Sequence, residues 1–129
     1  MAGTHIIADF WFGKQVEDAK ELHAMFIKAA KAAGATLLKV SIHAFSPHGI
    51  TGTALLSESH IMLHTWPEIN YTALDVFTCG KANPRKAIRY FQRTLKPTRA
   101  VIQTILRGEK KQFLAGARKA AKTSAKKKT

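Results

Sequence analysis

Six short stretches of the chain are β-branched and apolar or alternate apolar with polar residues, which is typical of β-strands. They cover Thr4–Phe10, Thr36–Phe45, Thr51–Leu56, His60–Thr65, Tyr71–Cys79 and Thr98–Leu106. Two other stretches repeat apolar residues at helical spacing, from about Val16 to Ala33 and from Pro84 to about Leu95. Gly34 suits the end of the first helix, and Asn83 before Pro84 suits the start of the second.

The elements follow the order strand–helix–strand–strand and then strand–strand–helix–strand. Two similar halves of this kind predict an α+β fold, a two-layer αβ sandwich with both helices on one face of an antiparallel sheet. We expect one domain over residues 1–107 of the 129. We expect the Lys/Ala-rich remainder, 108–129, to be a tail that is helical over Gln112–Lys122 and disordered over Thr123–Thr129.

The net charge of +13 comes from the C-terminal part of the chain. Residues 1–80 contain five Lys/Arg and seven Asp/Glu, whereas residues 81–129 contain sixteen Lys/Arg and a single acid, Glu109. Such a tail could contact phosphates, but it lacks the interleaved aromatic residues on which bases stack. We therefore interpret it as a solvated segment and expect no nucleic-acid partner.

The lone cysteine excludes an intramolecular disulfide and fits a reducing compartment. The sequence shows no secretory signal pattern and no apolar run of membrane-spanning length. These features predict a soluble cytoplasmic protein without a membrane partner.

Reactive side chains are concentrated between Ser57 and Glu68, beside an apolar strand. Ser59 could act as a nucleophile if a base lies near it, although a lone serine at a turn more often only forms hydrogen bonds. Alternation along a regular strand puts Ser59 and His64 on opposite faces. A bulge or tight turn at residues 57–59 is therefore required if these two side chains are to meet.

The neighbouring side chains also have plainer interpretations. Phe45 and Trp66 fit ordinary core packing. Glu68 fits a solvated loop, and Cys79 at the end of a strand fits a buried, inert thiol.

A zinc site is a further interpretation, drawn from His60, His64 and Cys79. Residues four apart on a strand are separated by roughly 13 Å, and the chain has no CxxC or HExxH zinc motif. We therefore expect no metal.

A connected set of motifs extends in order over residues 4–107. It consists of His5–Phe10 (HIIADF), His43-x-Phe45, Gly49–Gly52 (GITG), Ser57–His60 (SESH), His64–Glu68 (HTWPE) and Asp75–Gly80 (DVFTCG). In these motifs and their spacing the chain resembles the bacterial and archaeal S-adenosylmethionine decarboxylase proenzymes. The run from Ser57 to Glu68 is highly specific.

The resemblance implies that the chain cleaves itself between Glu58 and Ser59. Attack of Ser59 on the Glu58 carbonyl, elimination and hydrolysis would leave chains 1–58 and 59–129, the second beginning with a pyruvoyl group. That ketone would form a Schiff base with the substrate amine and accept electrons as CO₂ leaves, so that no separate cofactor is needed. His64 and Thr51 would assist self-cleavage, and Cys79 would donate a proton to the product carbon.

The resemblance also implies a binding site and an assembly. Phe45 and Trp66 would sandwich the adenine of S-adenosylmethionine and favour its sulfonium charge, and Glu68 would bind the ribose hydroxyls. The product would be the aminopropyl donor of spermidine synthesis. A homodimer of αββα type, or a larger assembly, would form with sites close to the subunit interface.

The sequence departs from the family pattern at two places. Lys81–Pro84 carries a lysine where relatives are often acidic, so activation by a bound diamine is not expected. Thr51 stands where many relatives have serine, and it keeps the hydroxyl.

Two other functions fit parts of the sequence. One is a pyruvoyl-dependent decarboxylase of arginine or ornithine with the same fold, and the other is a basic nucleic-acid-binding protein. Phe45, Trp66 and Glu68 favour a substrate with a nucleoside, because a free amino acid has no adenine to stack on aromatic rings.

Overall fold

The chain forms one six-stranded antiparallel sheet with two helices packed on one face, which confirms the predicted α+β sandwich. A computed structural model describes residues 3–128, with side chains to Ser124. The elements are β1 (Gly3–Trp11), α1 (Ala19–Ala33), β2 (Leu37–Ala44), β3 (Ile50–Leu56), β4 (Ser59–Trp66), β5 (Tyr71–Thr78), α2 (Pro84–Leu95), β6 (Arg99–Arg107) and α3 (Lys110–Lys128). The strand order across the sheet is β2-β3-β4-β5-β1-β6.

Capping residues determine the ends of the two packed helices. Asp18 has an extended backbone, and its side chain accepts a 2.7 Å hydrogen bond from the Glu21 amide, so α1 begins at Ala19 and not at Val16. Gly34 closes α1 with a φ of 70°. Asn83 caps α2 in the same way as Asp18, by accepting from the Arg85 amide at 3.0 Å.

The hydrophobic core lies between the helices and the sheet. α1 packs on β2 and β3, α2 packs on β1 and β5, and the two helices meet through an edge-to-face contact of Phe26 and Phe91. α1 approaches β3 so closely that a Cβ at Gly52 would lie 2.6 Å from Leu22 Cδ2. The β3 backbone is therefore held against α1, and its outward side chains turn away from the helices.

The opposite side of the sheet, which we call the open face, has neither α1 nor α2 over it. Strand alternation and partial exposure assign to it a set of polar and aromatic side chains. They are His5, Ile7, Trp11, Thr51, His60, His64, Trp66, Tyr71, Asp75 and Phe77.

The C-terminal tail is helical over a longer span than expected. α3 covers Lys110–Lys128, so the structure continues the helix through Thr123–Lys128, where we expected disorder; Thr129 lies outside the described residues. Alanine and lysine have high helix propensities, and the helix continues through Gly116, Thr123 and Ser124. The division of the chain at residue 108 stays a prediction.

No helix within residues 3–128 is both long enough and apolar enough to cross a bilayer.

Removal of α3 is expected to leave the fold intact. The described side chains of α3 are all exposed, so a chain that ends at Gly108 should unfold with a free energy within about 0.5 kcal/mol of the full chain. Thermal denaturation followed by circular dichroism measures this. A loss of more than about 2 kcal/mol would show that α3 contributes to the packed domain.

Candidate active site

The turn between β3 and β4 holds the Glu58–Ser59 peptide in an unusual conformation. Ser57 and Glu58 form a tight turn, and Leu56 pairs with Ser59 across it. Ser59 has a φ of 146°, a value that residues with a Cβ rarely adopt. The sequence required an irregular backbone at residues 57–59 only if Ser59 was to meet His64; the backbone is irregular there, chiefly at Ser59. Strain of this kind costs on the order of 1–3 kcal/mol and marks functional positions.

The carbonyl oxygen of Glu58 accepts two hydrogen bonds from Cys79. The Cys79 backbone amide lies 3.2 Å from it, and the Cys79 Sγ also lies 3.2 Å from it. At its other end, the Glu58 carboxylate accepts a 2.9 Å bond from the Thr36 amide. Two donors that converge on a carbonyl oxygen can stabilise the negative charge that develops there when the carbonyl carbon is attacked. Cys79 is exposed, so the interpretation as a buried thiol is wrong.

The hydroxyl of Ser59 begins a chain of side-chain contacts across three strands. Its Oγ lies 3.4 Å from His60 Nδ1, and His60 Nε2 lies 3.0 Å from Asp75 Oδ1. The same Asp75 oxygen lies 3.2 Å from His5 Nε2. His5 and His60 flank Phe77 in register, which places β1, β5 and β4 side by side here. From the sequence, His60 was considered only as a possible zinc ligand, and no function was assigned to Asp75 or His5.

His5, His60 and Asp75 are also the set of potential metal ligands that lie close together within the described residues. The Arg107 guanidinium lies 3.3 Å from His5 Nδ1 and over the Phe77 ring. Its positive charge opposes a divalent cation at this position. His64 and Cys79 do not belong to the set, so the zinc site drawn from the sequence is not assembled.

A second group of predicted residues lines a cavity of about 260 Å³ at the other end of β4. Thr51 Oγ1 lies 3.1 Å from His64 Nδ1, because the two residues face each other across β3 and β4. The lining residues are Phe45, His48, Gly49, Thr51, His64, Thr65, Trp66 and Glu68.

The aromatic residues of this cavity are surface residues. Phe45 is 51% exposed and Trp66 is 41% exposed, so the core-packing interpretation of both is wrong. Glu68 Oε2 accepts a 3.1 Å hydrogen bond from His48 Nε2, which orients the carboxylate at the rim of the cavity. The cavity therefore offers two rings, an oriented carboxylate and the Thr51–His64 pair.

One chain does not bring the two groups together. Ser59 and His64 lie five residues apart on the same strand, a separation of roughly 17 Å. Ser59, Glu58 and Cys79 thus lie at one end of β4, and the cavity lies at the other. The unusual backbone at Ser59 does not bring it to His64 of the same chain.

An aromatic stack extends from the cavity across the open face. Tyr71 lies between Trp11 and Trp66, with ring centroids 4.5 Å and 5.2 Å away, and its hydroxyl donates a hydrogen bond to Asp9. Burial in this stack, together with the Asp9 carboxylate, raises the pKa of Tyr71 to about 12.

The titration of Tyr71 is expected to affect stability at high pH. Because its pKa is raised from 10.0 to about 12, its contribution is fully present below pH 10 and is lost as the pH rises towards 12. Ultraviolet absorbance of tyrosinate should therefore resolve a late-titrating component that Tyr71→Phe removes. If the late-titrating component persists in Tyr71→Phe, the contact between Tyr71 and Asp9 is contradicted.

Comparison with known proteins places these residues in one family. The model of the family S-adenosylmethionine decarboxylase matches residues 4–108. An S-adenosylmethionine decarboxylase proenzyme of Methanococcus maripaludis strain C5 is 47% identical over 109 residues, which cover 82% of this chain and 89% of that protein. A proenzyme of the same name from Synechococcus sp. strain WH7803 is 44% identical over 110 residues, with coverages of 83% and 86%. The crystal structure of the adenosylmethionine decarboxylase from Aquifex aeolicus VF5 matches with a TM-score of 0.73 and 34% identity, over 83% of this chain and 94% of that one.

Proposed function

This chain belongs to the S-adenosylmethionine decarboxylase family, and we propose that it is a proenzyme that cleaves its own Glu58–Ser59 bond and then decarboxylates S-adenosylmethionine. Members of the family are enzymes of the carboxy-lyase class. The observation that carries the proposal is the Glu58 carbonyl oxygen, which accepts from both the amide and the thiol of Cys79.

The geometry at residues 58 and 59 supports self-cleavage. The Ser59 oxygen attacks the Glu58 carbonyl carbon, and Cys79 stabilises the oxyanion that forms. The Glu58–Ser59 carbon–nitrogen bond then breaks, which leaves an ester between Glu58 and the Ser59 oxygen. Elimination of the Glu58 carboxylate and hydrolysis with water release ammonia and leave a pyruvoyl group. The φ of 146° at Ser59 disappears with that nitrogen, so cleavage also relieves strain.

The residues around Ser59 fit a covalent prosthetic group made in place. A ketone at this position supplies an electron sink for the electrons that loss of CO₂ leaves behind, so no separate cofactor is required. Cys79 stays beside the former Ser59 and is the proton donor to the product carbon. A thiol is among the side chains that act as general acids, so Cys79 can deliver the proton if it is held close to the product carbon.

The cavity at the other end of β4 supports the substrate assignment. Phe45 and Trp66 hold adenine between them, and Glu68 accepts hydrogen bonds from the ribose. Ligand pockets usually have volumes of about 300–1,000 Å³, and the cavity in one chain falls short of that at about 260 Å³. We therefore interpret it as half of a site.

A homodimer completes the site. A second copy that faces the open face in the reverse strand direction brings its His64 end over the Ser59 end of the first. His64 and Thr51 of one copy then assist cleavage in the other, and the open face becomes the dimer interface of an αββα assembly. The enzyme acts in the cytoplasm, and its product is the aminopropyl donor for spermidine synthesis.

An intact mass and a substrate comparison test the proposal. Purified protein should consist of residues 1–58 and residues 59–129, with the second chain blocked at its N-terminus. Incubation with S-adenosylmethionine, arginine or ornithine, each labelled at the carboxyl carbon, should release labelled CO₂ from S-adenosylmethionine. One uncleaved chain after prolonged incubation would refute self-processing, and preference for arginine or ornithine would refute the substrate.

A further inference from the structure

We propose that His60 is the base that removes the Ser59 proton during self-cleavage, and that Asp75 and His5 are positioning residues that hold His60 in the required tautomer. This inference rests on the proposed self-cleavage and adds to it a catalytic group from the same chain. The distance of 3.4 Å between Ser59 Oγ and His60 Nδ1 puts the imidazole in contact with a reacting atom. Catalytic hydrogen bonds of this length often shorten when the reacting groups close up.

The hydrogen-bond partners determine where the protons lie on both imidazoles. Arg107 can only donate, so His5 Nδ1 accepts from it at 3.3 Å and the His5 proton resides on Nε2. An ionised Asp75 can only accept, so both His5 Nε2 and His60 Nε2 donate to its Oδ1, at 3.2 Å and 3.0 Å. A neutral His60 with its proton on Nε2 has a free lone pair on Nδ1. That nitrogen is the one that faces Ser59.

Position in the sheet explains why this arrangement is stable. His60 lies edge-to-face against Phe77, and His5 stacks on the other side of that ring. Asp75 reaches both imidazoles from β5, between the strands that carry them. His60, His5 and Asp75 are each partly buried, with side-chain exposures of 29%, 17% and 27%. A carboxylate in this position stabilises the imidazolium that forms when His60 takes up a proton.

The proposed step balances within the chain. The Ser59 hydroxyl proton moves to His60 Nδ1 as the Ser59 oxygen bonds to the Glu58 carbonyl carbon. When the carbon–nitrogen bond breaks, the same proton moves from His60 Nδ1 to the departing amine of Ser59. No oxidant, metal or further reactant is consumed, and the products are the ester and a neutral His60.

The inference assigns His60 to ester formation, and experiments can isolate this step. In His60→Ala, the half-time of self-cleavage should increase about 100-fold or more, and hydroxylamine, which cleaves esters, should release little extra 1–58 fragment because the ester does not form. Added imidazole should restore part of the rate, since it can occupy the vacated space and accept the proton. His23→Ala, which removes an exposed histidine on α1, is the matched control and should cleave at the wild-type rate.

Variants of Asp75 test the positioning role. Asp75→Asn should slow cleavage because an amide can donate to His60 Nε2 and favour the wrong tautomer, and Asp75→Glu should recover part of the rate because it restores the carboxylate. Circular dichroism of each purified variant establishes that it is folded before its rate is compared. A folded His60→Ala that cleaves as fast as wild type, or whose ester accumulates and is cut by hydroxylamine, would overturn the role of His60 while leaving self-cleavage intact. A wild-type chain that stays whole would overturn the proposed function itself.

Discussion

Ser59→Ala is expected to remain a single chain of 129 residues and to release no CO₂ from S-adenosylmethionine. Without the hydroxyl there is no nucleophile to attack the Glu58 carbonyl and no atom from which the ketone can form. Alanine has the same Cβ as serine and so adds no strain at the φ of 146°, and the strand pairing of residue 59 with Leu56 and Thr78 does not depend on its side chain, so the fold should be retained. Intact mass measures the first effect, and trapping of labelled CO₂ measures the second.

Ser57→Ala is the matched control for this result. Ser57 lies in the same turn, two residues away, and its side chain is exposed. Its backbone amide donates to the Thr36 carbonyl, a contact that the substitution leaves unchanged. Ser57→Ala should therefore cleave and decarboxylate like the wild type. Cleavage of Ser59→Ala at the same bond, or loss of cleavage in Ser57→Ala, would show that the reactive serine is misassigned.

The local elements of this fold are readable from the sequence because local forces determine them. Strand alternation and helical spacing predict the six strands and the two packed helices. Gly34 predicts the end of α1 and Asn83 the start of α2, and hydrogen bonds at both residues confirm these positions. The start of α1 differs by three residues from the expected Val16 because Asp18 competes for the first helical amides. The high helix propensity of alanine and lysine within Lys110–Lys128 outweighs the charged composition from which we expected disorder, so α3 is longer than expected.

The site depends on strand pairings that the local pattern does not contain. His5 and Asp75 are 70 residues apart in the sequence and 3.2 Å apart in the fold. Alternation assigns each of them to a face, but it does not give the register between β1 and β5 or between β5 and β4. The cluster around His60 was missed for this reason. The signal that could have found it is the shared face of the HIIADF, SESH and DVFTCG motifs, taken together with the register.

The division of the candidate residues between the two ends of β4 has the same origin. The family resemblance implied that Ser59 and His64 take part in the same self-cleavage, whereas a strand separates successive residues by about 3.4 Å. The five residues from Ser59 to His64 therefore correspond to a distance that no side chain spans. This is the physical reason for our proposal that a second copy supplies His64 and the substrate cavity.

Cys79→Ala is expected to lose most of its decarboxylation while it still cleaves. The Cys79 amide continues to donate to the Glu58 carbonyl at 3.2 Å, so the loss of a thiol donor slows ester formation without abolishing it. General-acid catalysis contributes roughly 10²–10⁴-fold, so turnover per cleaved chain should fall by about 100-fold or more. The rate must be divided by the fraction of residues 59–129 with a blocked N-terminus, because only cleaved chains can react.

Cys79→Ser separates the two roles of this residue. A hydroxyl is a better hydrogen-bond donor than a thiol but a much weaker acid. Cleavage in Cys79→Ser should therefore stay close to the wild-type rate, whereas decarboxylation should fall nearly as far as in Cys79→Ala. Near-normal turnover in the alanine variant would refute the proton-donor role. Equal loss of cleavage and turnover in both variants would instead make Cys79 a residue of maturation, with the product proton supplied by another group.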